Sequence, residues 1–207
     1  AEAIFNEMEG KDAVAYNAMV EGYSKTEETA EGSLEVLKAM QRAGLRPTVS
    51  TFVSVLGACS LLSSPELGEQ VHCQGTKSGL VLDIKVGSAL VDMYAKCGST
   101  SEAWMVFQQM LERDIIVWNA MILGLGMTGH EKIAFALVGQ MNKSGVKLND
   151  NTFIGLLCSC THTGLVNDGR QYFHNMTNVY RISPRIEHYG CMVDLLSRAD
   201  CWRRLIS

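Results

Sequence analysis

A chain that repeats itself has little freedom in how it folds, because whatever one copy of the repeat becomes, the others must become as well. In this sequence of 207 residues the similarity returns at an offset of 101 to 102. Tyr16-Asn17-Ala18-Met19 comes back as Trp118-Asn119-Ala120-Met121, and Gly22 as Gly124. Thr51-Phe52 returns as Thr152-Phe153, Cys59 and Gly68 as Cys160 and Gly169, and Val91-Asp92 as Val193-Asp194. Phe5, Met8 and Asp12 return as Phe107, Met110 and Asp114. A shorter offset of 71 lies inside the long one, aligning residues 16–25 with 87–96. The register divides the chain into repeats 13–48, 49–83, 84–114, 115–149 and 150–185, with a remnant before them and an incomplete repeat from Ile186 onward.

Each repeat reads as two helices. In the second helices, apolar residues follow i, i+3, i+4, i+7 spacing: Ala103, Val106, Phe107, Met110; Ile133, Ala134, Leu137, Val138, Met141; and Gly169, Tyr172, Phe173, Met176. Stripes of this period are core-facing. Gly44, Gly79 and Gly145 stand where a left-handed residue would stop a helix. Two-helix repeats too short to bury their own apolar faces stack, so the expected fold is an all-α solenoid of helix-turn-helix pairs.

The repeat also weighs a competing motif. Gly124, Gly126 and Gly129 spell G-x-G-x-x-G after an apolar run, the fingerprint of a dinucleotide loop. The same register holds Gly22-Tyr23-Ser24-Lys25 in the first repeat and Met93-Tyr94-Ala95-Lys96 in the third, neither with those glycines. The expectation is therefore a helix over Ile116 to Leu125, with Gly126 to Gly129 as the turn to the next helix. Cys158, Cys160 and His162 are the one cluster that invites a metal, but side chains two apart on a helix diverge. Seven cysteines, odd in number and scattered, read as reduced thiols. A formal charge of −4 lacks the basic footprint of a generic nucleic-acid clamp. No apolar run approaches the roughly 20 residues that span a bilayer, and no catalytic constellation or cofactor motif survives the comparison of repeats.

The residues that open and close the repeats resemble a known family. The Tyr16-Asn17 and Trp118-Asn119 openings, followed by a Met shortly before a Gly-hydrophobic closure, look like pentatricopeptide repeats. Thr51-Phe52 through Cys59, with Gly68 to His72, is similar to the long repeat of the plant subclass in which standard, long and short repeats alternate. Ala89 to Gly98 with Glu112-Arg113-Asp114 is similar to its short repeat, and Glu187-His188-Tyr189-Gly190 to the short repeat that ends such arrays. The resemblance implies a right-handed superhelix that reads single-stranded RNA at about one base per repeat. In such arrays the fifth residue of the first helix and the last residue of the repeat face one base.

Carried over, this implies pairs Asn17 with Thr48, Ser88 with Asp114, and Asn119 with Asn149. Ser88 with Asp114 would favour guanine, the acid accepting from its N–H edge, and Asn119 with Asn149 a pyrimidine. Thr48 departs from the usual Asp or Asn, and Val53 with Asp83, Gly155 in a shifted register, and Gly190 are poor readers. Lys25 and Lys96 recur in register as candidate phosphate ligands, whereas Tyr16 and Trp118 read as packing residues. The implied role is organellar C-to-U editing in a mitochondrion or chloroplast, with editing-factor proteins or a deaminase supplied in trans. The chain has no H-x-E followed by C-x-x-C, so it is not expected to be the deaminase itself. With both ends falling inside repeats, it reads as a fragment or an eroded member. The alternative is a helical scaffold of the tetratricopeptide kind that binds protein, which the net negative charge would suit.

Overall fold

The computed structural model describes residues 2–206, with side chains at positions 3, 5 and 7–199. Every regular element among them is helical. The chain forms two compact units, Ala1–Glu112 and Arg113–Ser207. The first holds α1 (Glu2–Glu7), α2 (Ala13–Tyr23), α3 (Glu27–Arg42), α4 (Val49–Leu61), α5 (Pro65–Ser78), a 3-10 turn (Leu80–Leu82), α6 (Ile84–Lys96) and α7 (Thr100–Gln109). The second holds α8 (Ile115–Met127), α9 (Glu131–Lys143), α10 (Asp150–Thr163), α11 (Val166–Asn178) and α12 (Ile186–Ile206).

Cap chemistry decides where the first helix of each repeat begins. Asp12, Asp83 and Asp114 precede α2, α6 and α8, and each carboxylate accepts a backbone N–H of the first turn. Thr48 and Asn149 precede α4 and α10 in reciprocal capping boxes with Thr51 and Thr152. The residue before α12 is Arg185, whose guanidinium has only donors and cannot accept a backbone N–H. Its N–H is taken instead by Nδ1 of buried His188 at 3.0 Å, while His188 Nε2 donates to the Asp150 carbonyl at 3.0 Å. Gly44, Gly79 and Gly145 end α3, α5 and α9 with φ of +74°, +75° and +83°, a region that favours glycine.

Packing follows the solenoid pattern in each unit. First helices stack on first helices, α2 on α4 on α6 in one unit and α8 on α10 on α12 in the other. Second helices lie against their own first helix, and α3, α5, α9 and α11 also against the next first helix. The first helices therefore bury broad faces: α10 buries Thr152, Phe153, Gly155, Leu156, Leu157, Ser159, Cys160 and Thr161. The second helices bury narrower stripes, Ala103, Val106 and Phe107 on α7 and Ala134, Leu137 and Met141 on α9. Ile133 departs from the predicted stripe and is 44% exposed. It lies at the edge of the stripe that Ala134, Leu137 and Met141 centre on, where the neighbouring helix no longer covers it.

Two boundaries correct the sequence reading. Gly126 is not in the turn: α8 runs on to Met127, and of the predicted turn only Gly129 (φ +77°) is left-handed. Gly124 and Gly126 are buried helical positions, and at Gly126 α8 meets α10 so closely that an added Cβ would collide with Ser159 Oγ and press on the Gly155 carbonyl. The G-x-G-x-x-G motif thus serves a helix crossing and a turn, with no strand before it, which removes the dinucleotide reading. In the last, incomplete repeat α12 is continuous over Ile186–Ile206, in place of the two helices that each repeat reads as. Asp200 occupies the register of Gly98, whose φ of +77° breaks the chain after α6, and the last repeat has no such residue. The side-chain pattern of 200–206 lies outside the described residues.

Candidate nucleic-acid interface

The cap residues that start the first helices also meet a side chain from the preceding first helix. Asn149 caps α10, and Asn119, on the second turn of α8, donates from Nδ2 to Asn149 Oδ1 at 2.9 Å. Thr152, fully buried at the third position of α10, donates its hydroxyl to Asn119 Oδ1 at 2.7 Å. It also accepts the Asn149 N–H at 3.1 Å, and its own N–H goes to Asn149 Oδ1 at 3.1 Å. Both amide oxygens are thereby held inward. What remains without a protein partner is one N–H on Asn119, both N–H groups of Asn149 and one lone pair on Asn119 Oδ1.

An equivalent triad stands one long period earlier, between α2 and α4. Asn17 donates from Nδ2 to Thr48 Oγ1 at 3.2 Å, and buried Thr51 donates to Asn17 Oδ1. Thr48 Oγ1 also accepts the Thr51 N–H at 3.3 Å, and its own hydroxyl turns to Thr51 Oγ1 at 3.0 Å. The Thr48 hydroxyl is consumed within the triad. This site therefore offers one N–H and one lone pair, both on Asn17, a weaker and less one-sided display than that of Asn119 and Asn149.

Ser88 differs from both. On the second turn of α6, its side chain is 5% exposed and its hydroxyl has no hydrogen-bond partner. A buried orphan hydroxyl costs about 1–3 kcal/mol and calls for an explanation such as a ligand. Asp114 belongs to the C-terminal unit, where its carboxylate accepts the Val117 N–H at 3.0 Å, leaving its second oxygen available. Asp83 likewise spends one oxygen on the Lys85 N–H, at 2.8 Å, and Gly155 is buried against α8.

Val14 and Ile116 were not among the residues singled out from the sequence. They precede Asn17 and Asn119 by three positions, on the same helical face, and are 73% and 62% exposed. Large apolar side chains left open beside a polar pair could have been noticed as breaks in the buried pattern of the first helices. Tyr16 and Trp118 are buried packing residues, Tyr16 edge-on to Phe5. Lys25 and Lys96 are drawn to carboxylates one turn back, Lys25 to Glu21 at 3.9 Å and Lys96 to Asp92 at 2.7 Å, which weakens their case as phosphate ligands. Cys158 and Cys160 diverge on α10: Cys158 meets Cys191 of α12 with sulfurs 3.5 Å apart, while Cys160 is fully buried.

Away from the polar pairs, a cavity between α5, α6 and α7 is lined by Glu66, Glu69 and Glu102 with His72 and Tyr94. Its carboxylates would repel a phosphate backbone. His72 Nδ1 lies 3.1 Å from the Tyr94 hydroxyl, and burial holds the imidazole below its ordinary pKa of 6.5, opposed by Glu69.

Comparison with known proteins gives a consistent picture. A family model described as pentatricopeptide repeat domain matches residues 3–60, and one described as PPR repeat matches residues 88–115 and 116–146. Two mitochondrial pentatricopeptide repeat-containing proteins of Arabidopsis thaliana are 43% and 49% identical over 197 and 176 residues, covering 95% and 85% of this chain. A chloroplastic one from the same plant is 38% identical over 206 residues, or 95% of this chain. The chain spans 31%, 34% and 23% of these three relatives. Among solved structures, the pentatricopeptide repeat protein PPR10, in complex with an 18-nt psaJ RNA element, superposes with a TM-score of 0.81 at 23% identity, over 96% of this chain and 30% of that one. The PPR domain of Arabidopsis thaliana protein-only RNase P 1, solved with tRNA, gives 0.66 at 14% identity, over 89% of this chain and 98% of that one.

Proposed function

Because the chain belongs to the pentatricopeptide repeat family, we propose that it binds single-stranded RNA at about one base per repeat, through Asn17 with Thr48, Ser88 with Asp114, and Asn119 with Asn149. The observation that carries this is the recurrence of a polar pair with unspent hydrogen-bonding groups at the junction of successive first helices. A purely structural cap has no need of the second asparagine. Beside Asn17 and Asn119, Val14 and Ile116 supply an apolar wall against which a base can bury its face. The donors left on Asn119 and Asn149 match the acceptor oxygens of a pyrimidine, and the Ser88 hydroxyl with the Asp114 carboxylate matches the N–H edge of guanine.

The proposed boundaries 13–48, 49–83, 84–114, 115–149 and 150–185, with the resemblance of their residues to standard, long and short repeats, support membership of the subclass in which these alternate. The proposal extends to the role of such arrays: recognition of a transcript for C-to-U editing in a mitochondrion or chloroplast, with a deaminase or editing-factor protein acting in trans. The mitochondrial and chloroplastic names of the relatives support that setting.

Fluorescence anisotropy with short single-stranded RNAs tests the reading. Binding should weaken steeply with salt, as phosphate contacts demand, and should favour G over C at the base facing Ser88 and Asp114. Exchanging both for asparagine should invert that preference. A chain that shows no preference before or after the exchange would overturn the assignment. Salt-insensitive capture of a protein partner, without RNA binding, would support the helical scaffold instead.

A further inference from the structure

We propose that Thr51 and Thr152, which belong to the following repeat, determine base specificity by fixing which way the amides of Asn17 and Asn119 face. The inference rests on the RNA-binding reading and adds a residue to each recognition pair. An asparagine amide is two-sided, with an acceptor on one edge and donors on the other, and a half-turn about its last torsion exchanges them. Left to itself, Asn119 could offer a base either edge. The buried Thr152 hydroxyl gives its proton to Asn119 Oδ1 at 2.7 Å, the nearer of the two oxygens it reaches, Asn149 Oδ1 lying 3.1 Å away. Turning the amide would set Nδ2 against this hydroxyl and Oδ1 against Asn149 Oδ1, with two acceptors facing each other. The amide is thereby held one way round, which fixes where its remaining N–H and its remaining Oδ1 lone pair are offered to a base.

The chain carries its own comparison. Where the fifth residue is asparagine, the third residue of the next first helix is threonine, Thr51 after Asn17 and Thr152 after Asn119. Where the fifth residue is Val53 or Ser88, the equivalent position is Val86 or Val117. A valine side chain needs no orientation, and a serine hydroxyl turns freely between donating and accepting. Threonine and valine have the same shape and both fit the buried site, so packing does not explain the difference. Threonine closes the capping box with Thr48 or Asn149, and the further bond from its hydroxyl to the asparagine oxygen orients that amide.

The test compares Thr152→Val and Thr152→Ser with the parent chain, using a pool of single-stranded RNAs randomised at the recognised positions and an NMR record of the Asn119 side-chain amide. Thr152→Val should reduce discrimination for a pyrimidine at the Asn119 position by roughly fivefold, the equivalent of one net hydrogen bond. Thr152→Ser should restore it, and preference at the other positions should stay unchanged. The Asn119 amide signals should shift and exchange faster with solvent in Thr152→Val. Full selectivity with unmoved amide signals in that variant overturns the inference. If the parent chain shows no base preference at all, the RNA reading falls, and the amide signals alone decide the orientation claim. Should Thr152→Val fail to fold, Thr51→Val repeats the test at Asn17 in the other compact unit.

Discussion

Gly126 of α8 lies against Ser159 of α10 with no room for a Cβ between them. Gly155 lies one turn away on α10 and is itself pressed against Ile122 and Leu123 of α8. The two helices cross on small residues, and this crossing sets the spacing at which Asn119 reaches Asn149. Gly126→Ala should therefore destabilise the chain by about 1–3 kcal/mol through overpacking. Chemical denaturation measures this directly, and an unchanged midpoint would mean that the crossing yields more easily than its geometry implies.

Ser88→Ala separates recognition from stability. The hydroxyl is buried without a partner, so its removal should leave the unfolding free energy within about 0.5 kcal/mol of the parent, or raise it. Base preference at that position should weaken all the same. Thermal melts and RNA competition on one preparation would show both effects, and a large loss of stability would assign the hydroxyl a structural role.

Thr48→Asn should make the first pair behave like Asn119 with Asn149. An asparagine can still cap α4 at little cost, and it adds the amide donors that Thr48 lacks. Pyrimidine selectivity at the base facing Asn17 should rise, with little change in the midpoint of unfolding. Equal selectivity in the two forms would show that the cap residue does not take part in reading.

The acidic cavity predicts a pH dependence. Burial keeps the His72 pKa below 6.5, so the unfolded chain takes up this proton more readily than the folded one. The His72 contribution to stability is complete above about pH 6.5 and declines as the pH falls towards its folded pKa, below which it levels off. His72→Gln should flatten this part of the curve. Urea midpoints collected between about pH 5 and pH 8 would show it, and equal slopes in parent and variant would place the titration elsewhere.

Much of this molecule was legible because its information is local. The 101-to-102 offset is written in the sequence itself, and the apolar stripes and the glycines after α3, α5 and α9 each involve residues within a turn or two of one another. A cap such as Asp114 acts on an N–H three residues away. Such short-range chemistry determined, from the sequence alone, that the chain is a helical repeat array and where the first helices begin. The end of α8 was misjudged because a glycine marks a turn and a close helix crossing alike, and only the neighbour, Ser159, tells them apart.

Tertiary structure decided everything that depends on partners some thirty residues distant. Asn119 and Asn149 could be named as a pair by resemblance. Which of their atoms remain available followed only from the buried hydroxyl of Thr152, 33 residues from Asn119, once the stacking of α8 on α10 had brought the three together. The physical reason is that periodicity fixes which face of a helix is buried, whereas the orientation of an amide on that face depends on hydrogen bonds made across the packed interface.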